Sequence, residues 1–248
     1  MGLRDGLVGA WCPSLGPTAG TLLDRSGRNN HGTLTNMDPA TDWVQSGGAR
    51  ALDFDGVNDF VSLGNTSALN PTTAISLACW IRYSGSVAIW CIGRDDATLG
   101  RSYALGVRAN SDRVLSLQIN GTQTIASSLA VPQNAWTHLA ITGSPGIGYR
   151  AYQDGVQTGS ATWTAPASTT GITTIGARTY AGSQGYWAGQ IDDAGIWARG
   201  LTPPEIRQLY TQGRGGWLRQ PRRRTYGFIL PTFRAAWIQR AKLIGGGV

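Results

Sequence analysis

The chain has 248 residues and is short of charge, of glutamate and of histidine. Charged residues make up 14% of it, against about 25% in an average domain. Of its 14 carboxylates, 13 are Asp, and Glu205 is the one glutamate. Histidine occurs twice, as His31 and His138. General acid–base chemistry draws on these residue types, so few routes to it are open. A glycosidase built on two glutamates is excluded, which leaves two aspartates as the alternative. No run approaches the roughly 18 apolar residues that cross a bilayer. The opening MGLRDGLVGAW has no long apolar segment before a small-residue cleavage site. Export by a signal peptide is therefore not expected, and folding in a cytoplasm is. No G-x-S-x-G elbow and no P-loop occur, and the GxG of GSPGIGYR (143–150) is not followed by a helical pattern.

Glycine (35 residues) and tryptophan (10) are plentiful. That excludes a disordered polymer and a coiled coil. The length suits one all-β domain. Cys12, Cys79 and Cys91 are an odd number, so a disulfide framework is not expected. Cys79 and Cys91 fall on neighbouring expected strands and can face each other, although buried free thiols in a reducing compartment are the favoured reading.

Charge is uneven. The formal balance is +7, yet residues 213–248 hold eight cations and no acid. Residues 1–212 hold 13 cations against 14 acids, so a near-neutral body carries a basic tail. Such asymmetry marks an interaction arm. The tail also carries apolar anchors, among them Phe228, Phe233 and Trp237. The boundary expected is a body over 1–212 and an anchoring tail over 213–248.

Short β-type runs separated by Gly, Asn, Asp, Ser and Pro fill the body. ISLACWIRY (75–83) places Ile75, Leu77, Cys79 and Ile81 on one face. Asn120-Gly121 and Asp154-Gly155 sit between such runs and suit the positive φ of tight hairpin turns. Many strands at this spacing predict an all-β fold, a two-sheet antiparallel sandwich. One helix is expected over 201–213, with Thr202 as cap, Pro203 in the first turn and Gly213 as stop. In AWTHLAIT (135–142) two alternating sets compete for the core, and one strand does not decide between them. His138 there reads as a hydrogen-bonded strand residue. His31 lies in a Gly/Asn-rich loop without an acid partner in sequence and reads as structural.

LVGAW (7–11), LLDRSGRNNHGTL (22–34), LDFDGVNDFVSLG (52–64), ISLACWIRY, AWTHLAIT, YQDGVQTGS (152–160) and YWAGQIDDAGIWARGLTPPEIRQLY (186–210) occur in this order. Together they resemble the laminin-G/pentraxin-like branch of the concanavalin A-like jelly rolls. The resemblance implies two curved antiparallel sheets and a long strand leading into a short helix. It also implies calcium on the rim as the cofactor, with Asp24, Asn30, Asp192 and Asp193 as ligands. Turn capping accounts for the same Asp and Asn residues equally well. Successive strand side chains diverge, so at most one of Asp192 and Asp193 is expected to touch an ion. The segment 53–59 reads as a hairpin corner and lacks the Glu that closes an EF-hand.

The fold does not fix function. The strand with paired glutamates of laminarinase-like relatives is missing, so no enzyme is expected. The ending AAWIQRAKLIGGGV, with the Arg run before it, is similar to tails on jelly-roll proteins of tailed bacterial viruses. That resemblance implies a non-enzymatic virion protein, a capsid decoration, fibre or tail-associated component, present in multiple copies with its jelly roll outward. Arg222, Arg223, Arg224, Phe228, Phe233 and Trp237 would dock it on other virion proteins. Nucleic acid ranks below protein as the tail's partner, because the body has no basic excess, and no membrane partner is expected. The alternative is a free carbohydrate-binding lectin module, for which the resemblance leaves a calcium dependence open, with Trp43, Trp90, Tyr180 and Tyr186 as stacking platforms for surface glycans. Trp163 and Trp187 are further candidates.

Overall fold

A computed structural model describes residues 2–86, 89–96, 100–108, 113–179 and 184–219. In chain order the first strands are β1 (Leu7–Trp11), β2 (Thr21–Leu22), β3 (Gly32–Thr35), β4 (Trp43–Ser46), β5 (Ala49–Asp55) and β6 (Phe60–Ser62). Then come β7 (Ile75–Tyr83), β8 (Ile89–Asp96), β9 (Gly100–Arg108), β10 (Val114–Ile119), β11 (Thr122–Ala130) and β12 (Trp136–Ser144). The last are β13 (Gly148–Gln153), β14 (Val156–Ala161), β15 (Ile172–Ile175), β16 (Ala177–Arg178), β17 (Gly185–Tyr186) and β18 (Ala188–Trp197). Two helices close the described chain, α1 (Pro203–Thr211) and α2 (Gly216–Arg219).

The first large sheet runs β14-β13-β12-β7-β18-β5-β4, with β1 also paired to β18. The second runs β11-β10-β9-β8-β15-β6-β3-β2, and β16 and β17 make a small ribbon. Neighbouring strands in both large sheets are antiparallel. The result is the expected all-β sandwich with few helices.

The alternating patterns explain the layering. Ile75, Leu77, Cys79, Ile81 and Tyr83 of β7 point into the space between the sheets, as do Leu115, Leu117 and Ile119 of β10. Leu139 and Ile141 of β12 join them. The competition within AWTHLAIT is thereby settled, with His138 and Ala140 on the opposite face. Both hairpin dipeptides adopt positive φ, 51° and 75° at Asn120 and Gly121 and the same angles at Asp154 and Gly155. Asp55 Oδ1 accepts hydrogen bonds from the backbone N–H groups of Val57, Asn58 and Asp59, so the 53–59 segment is a capped hairpin corner.

The outer face of the first sheet is also buried, which strand alternation alone did not reveal. A second apolar cluster there joins Ala10, Ala78, Ala140, Tyr152 and Trp197 to Ile206, Leu209, Trp217 and Leu218 of the helices. A row of small residues across four adjacent strands, Ala140 of β12, Ala78 of β7, Gly195 of β18 and Ala10 of β1, lets α1 lie close. Burying Ile206 and Leu209 contributes about 1.5–3 kcal/mol each, and truncating Ile206 to Ala would cost about 2–5 kcal/mol. Glu205 Oε2 accepts from the Thr202 N–H at 2.9 Å and fixes the start of α1. Arg199 in turn holds Glu205 through two bonds, at 2.9 and 2.6 Å. These contacts keep the Glu205 carboxyl down at about 2, the Arg199 bonds above all.

Residues 213–219 stand on the tail side of the charge boundary, yet they pack on the sandwich. Trp217 is buried with its ring 5.6 Å from that of Trp197. Arg219 Nη2 donates to the Ser14 carbonyl at 2.9 Å.

Candidate functional site

Asp192 and Asp193 lie on β18, where the pairing with β7 slips between Asp192 and Gly195. Asp193 takes a left-handed φ of 50°. This bulge re-aims its side chain, and the expectation that the two carboxylates diverge does not hold. Their oxygens and the Cys12 thiol lie within 4.8 Å of one another, all buried. Among the described residues no other trio of His, Cys, Asp or Glu comes together this way. Burial raises the pKa of Asp192, and the neighbouring Asp193 raises it further. Burial likewise raises Asp193.

The countercharge is Arg214. Its Nε lies 3.5 Å from Asp192 Oδ2, and its side chain is 7% exposed. Its guanidinium carbon sits 3.8 Å from the centre of the Trp136 ring, and the group also donates to the Ser46 carbonyl. Asp192 Oδ1 accepts from the N–H groups of Ser14 and Asp193, at 3.2 and 2.9 Å. Asp193 Oδ2 accepts from the Gly215 N–H. Asp192 Oδ2 and Asp193 Oδ1 remain without a hydrogen bond.

This donor set does not fit calcium. Calcium takes six to eight hard oxygens. Here two carboxylate oxygens are open, the third group is a soft thiol, and a guanidinium already supplies the positive charge.

Asp24 and Asn30 do not join the group. Asp24 Oδ1 accepts from the N–H groups of Ala10 and Ser26 at 2.9 and 2.8 Å. Its Oδ2 accepts from the Ser26 hydroxyl and the Asn30 N–H at 2.7 and 3.0 Å. Asn30 donates to the Val8 carbonyl and accepts from the Thr66 hydroxyl. Both side chains cap a turn that pins the 24–31 loop to β1. His31 completes that loop by accepting the Asp24 N–H at Nδ1.

The aromatic candidates divide. Trp43, expected as an exposed platform, is 7% exposed and donates its indole N–H to the Ala19 carbonyl. Trp90, also expected to be open, is 2% exposed, and the Arg101 guanidinium lies 4.6 Å from its ring centre. Neither presents a free face: Trp43 belongs to the core between the sheets, and Trp90 is covered by Arg101. Trp187 is fully buried against Tyr83. Tyr186 is half-buried on the ribbon beside Phe60. Tyr180 and the tail residues Arg222, Arg223, Arg224, Phe228, Phe233 and Trp237 lie outside the described residues.

Trp163 is different. It follows β14 and is half-buried, stacked on Tyr149 with ring centres 4.9 Å apart and planes inclined by 30°. The buried Tyr149 is held by its hydroxyl, which donates to the Thr164 carbonyl at 2.6 Å. Gly143 makes the stack possible: a Cβ there would stand 2.3 Å from the Tyr149 ring and 3.0 Å from Trp163. Beside the indole runs an open groove, lined by Gly146, Ile147, Gly148, Arg150, Gln157, Ser160, Ala161 and Thr162. The β13–β14 hairpin, with its Asp154-Gly155 turn, supplies the polar members. Nothing in the sequence beyond the hairpin dipeptide flags Arg150, Gln157 or Ser160, because they are ordinary outward residues of an edge hairpin.

A model of the concanavalin A-like lectin/glucanases superfamily matches residues 55–207. The chain belongs to that superfamily. No curated protein matches it in sequence. Among solved structures, this concanavalin A-like domain is similar to domain 4 of AbnA, an extracellular GH43 arabinanase from Geobacillus stearothermophilus, solved with arabinotriose. The TM-score is 0.63 at 16% identity, covering 82% of this chain and 98% of that one. It is also similar to part of the Trypanosoma rangeli sialidase solved with sialic acid, with a TM-score of 0.61, 16% identity, 83% of this chain and 33% of that one. The binding domain of Paraclostridial Mosquitocidal Protein 1 gives a TM-score of 0.61 at 14% identity, covering 84% of this chain and 52% of that one. At these identities the likeness is one of fold.

Proposed function

We propose that this concanavalin A-like domain is a carbohydrate-binding module and that the sugar lies in the groove beside Trp163. The observation that carries the reading is the half-exposed indole, locked against Tyr149 and flanked by hydrogen-bonding side chains. A π face attracts the slightly positive C–H edges of a sugar ring, and polar groups fix its hydroxyls. The residues lining the groove include no carboxylate and no histidine, which supports binding without catalysis. The arabinotriose complex of the similar arabinanase domain supports a neutral oligosaccharide as ligand. Because Arg214 pairs with Asp192 and the donor set does not suit calcium, binding on this reading needs no calcium.

Calorimetric titration of the full chain with arabinotriose, backed by a glycan array, tests this. Trp163→Ala is expected to weaken binding at least about tenfold, the equivalent of 1.4 kcal/mol, while the chain stays folded by circular dichroism. A wild-type chain that binds no glycan, or a Trp163→Ala chain that binds as well, overturns it.

Attachment to a larger assembly through residues 220–248 is a second reading. Arg214, Gly215, Trp217 and Arg219 fix the root of the basic segment on the body. Deleting 220–248 would then leave a soluble folded body that no longer joins its assembly.

A further inference from the structure

Cys79 and Cys91 belong to opposite sheets, on β7 and β8. Both are fully buried in the core between the sheets. Their sulfurs are 2.8 Å apart, and the two residues are 12 positions apart in sequence. The third thiol, Cys12, is segregated. It lies in the second cluster, on the other face of the first sheet, beside Asp193. The odd cysteine of the sequence is thus structurally separated from a facing pair.

We propose that Cys79 and Cys91 are an oxidation site and form a disulfide that ties the two sheets together. A disulfide needs about 2.05 Å between sulfurs. The pair is already within an ångström of that length, and small side-chain rotations close the gap. The co-reactant is another disulfide, small or protein-borne. One thiolate attacks it and releases the first thiol. The second cysteine then displaces the mixed disulfide and releases the second thiol. Two electrons and two protons pass to the co-reactant, and one S–S bond replaces two S–H bonds. Burial holds the Cys79 thiol well above its ordinary range, so exchange belongs to the stage of folding before the sheets close. Once the sheets have closed, the bond is out of reach of solvent thiols.

The test uses the full chain, unfolded in guanidinium, reduced, and refolded in a mixture of oxidised and reduced glutathione. The expected product is lighter by two hydrogen atoms, and a non-reducing peptide map finds Cys79 joined to Cys91. Cys12→Ala should leave that linkage unchanged. Dithiothreitol should open the bond in guanidinium but not in the native protein. Export of the same chain to an oxidising compartment gives the same map without a refolding step. Three alkylatable thiols in both preparations, or a linkage that includes Cys12, overturns the proposal.

Discussion

The Arg214 guanidinium stands 3.5 Å from Asp192 Oδ2, so a residue at the root of the basic segment neutralises a carboxylate buried on the outer face of the first sheet. Removing one partner of a buried ion pair leaves the other uncompensated, which costs about 3–5 kcal/mol. Arg214 also covers the Trp136 ring. Arg214→Ala is therefore expected to lower stability by about 3 kcal/mol in urea unfolding. The carboxylates already have raised pKa values in the fold, and losing the cation raises them further. A raised folded pKa means stability is present at low pH and lost as pH rises through that value. The gap between variant and native protein should accordingly widen from pH 5 to pH 8.

His138 gives the opposite slope. It is buried between Trp80 and Tyr210, at ring distances of 5.3 and 6.2 Å, and its Nδ1 has no hydrogen bond. Burial lowers its pKa to about 3. Between that value and the usual 6.5 the unfolded chain binds a proton that the fold refuses. Stability then rises with pH by up to about 1.4 kcal/mol per unit and levels off above 6.5. His138→Leu should remove this acid limb from the stability curve. Equal pH profiles for variant and native protein would refute the assignment.

The two-sheet frame was legible because its signals are local. Alternation in β7 and β10, and the dipeptides Asn120-Gly121 and Asp154-Gly155, specify their own geometry. The helix was expected over 201–213 and spans Pro203–Thr211. Short strands such as β2, of two residues, carry too little pattern to be seen. The acidic cluster was half legible. Asp192 and Asp193 stand out in the sequence, but their convergence depends on a bulge, and their counterion lies in a glycine-flanked stretch that reads as tail. Exposure of the tryptophans was not legible at all: Trp43, Trp90 and Trp187 differ from Trp163 in what covers them, and that depends on contacts far apart in sequence.

Chelation separates the two accounts of the acidic residues. If calcium organised the rim, EDTA would weaken glycan binding and lower the melting temperature. With Asp24 consumed by turn bonds and Asp192 paired to Arg214, neither is expected to change. A fall in Tm of more than a few degrees on adding EDTA, reversed by calcium, would contradict this. Such a shift corresponds to about 1 kcal/mol in a domain of this size.

Gly143 controls the groove from beneath. A methyl group at this position would stand 2.3 Å from the Tyr149 ring, too close for any relaxed structure, and 3.0 Å from Trp163. Tyr149 has little room to retreat, since it is fully buried and its hydroxyl is tied to Thr164. Overpacking of this kind costs about 1–3 kcal/mol. The less buried Trp163 should yield first, so Gly143→Ala is expected to tilt the indole out of its stack and loosen the floor of the groove. Two measurements then move together: urea stability falls by about 1–3 kcal/mol, and glycan affinity falls although no lining residue has changed. The indole's fluorescence reports its shift from a packed to a wetter setting, read against Trp163→Phe to isolate that one ring. If stability drops while glycan affinity and the Trp163 signal stay put, the stack is mere packing and the sugar lies elsewhere.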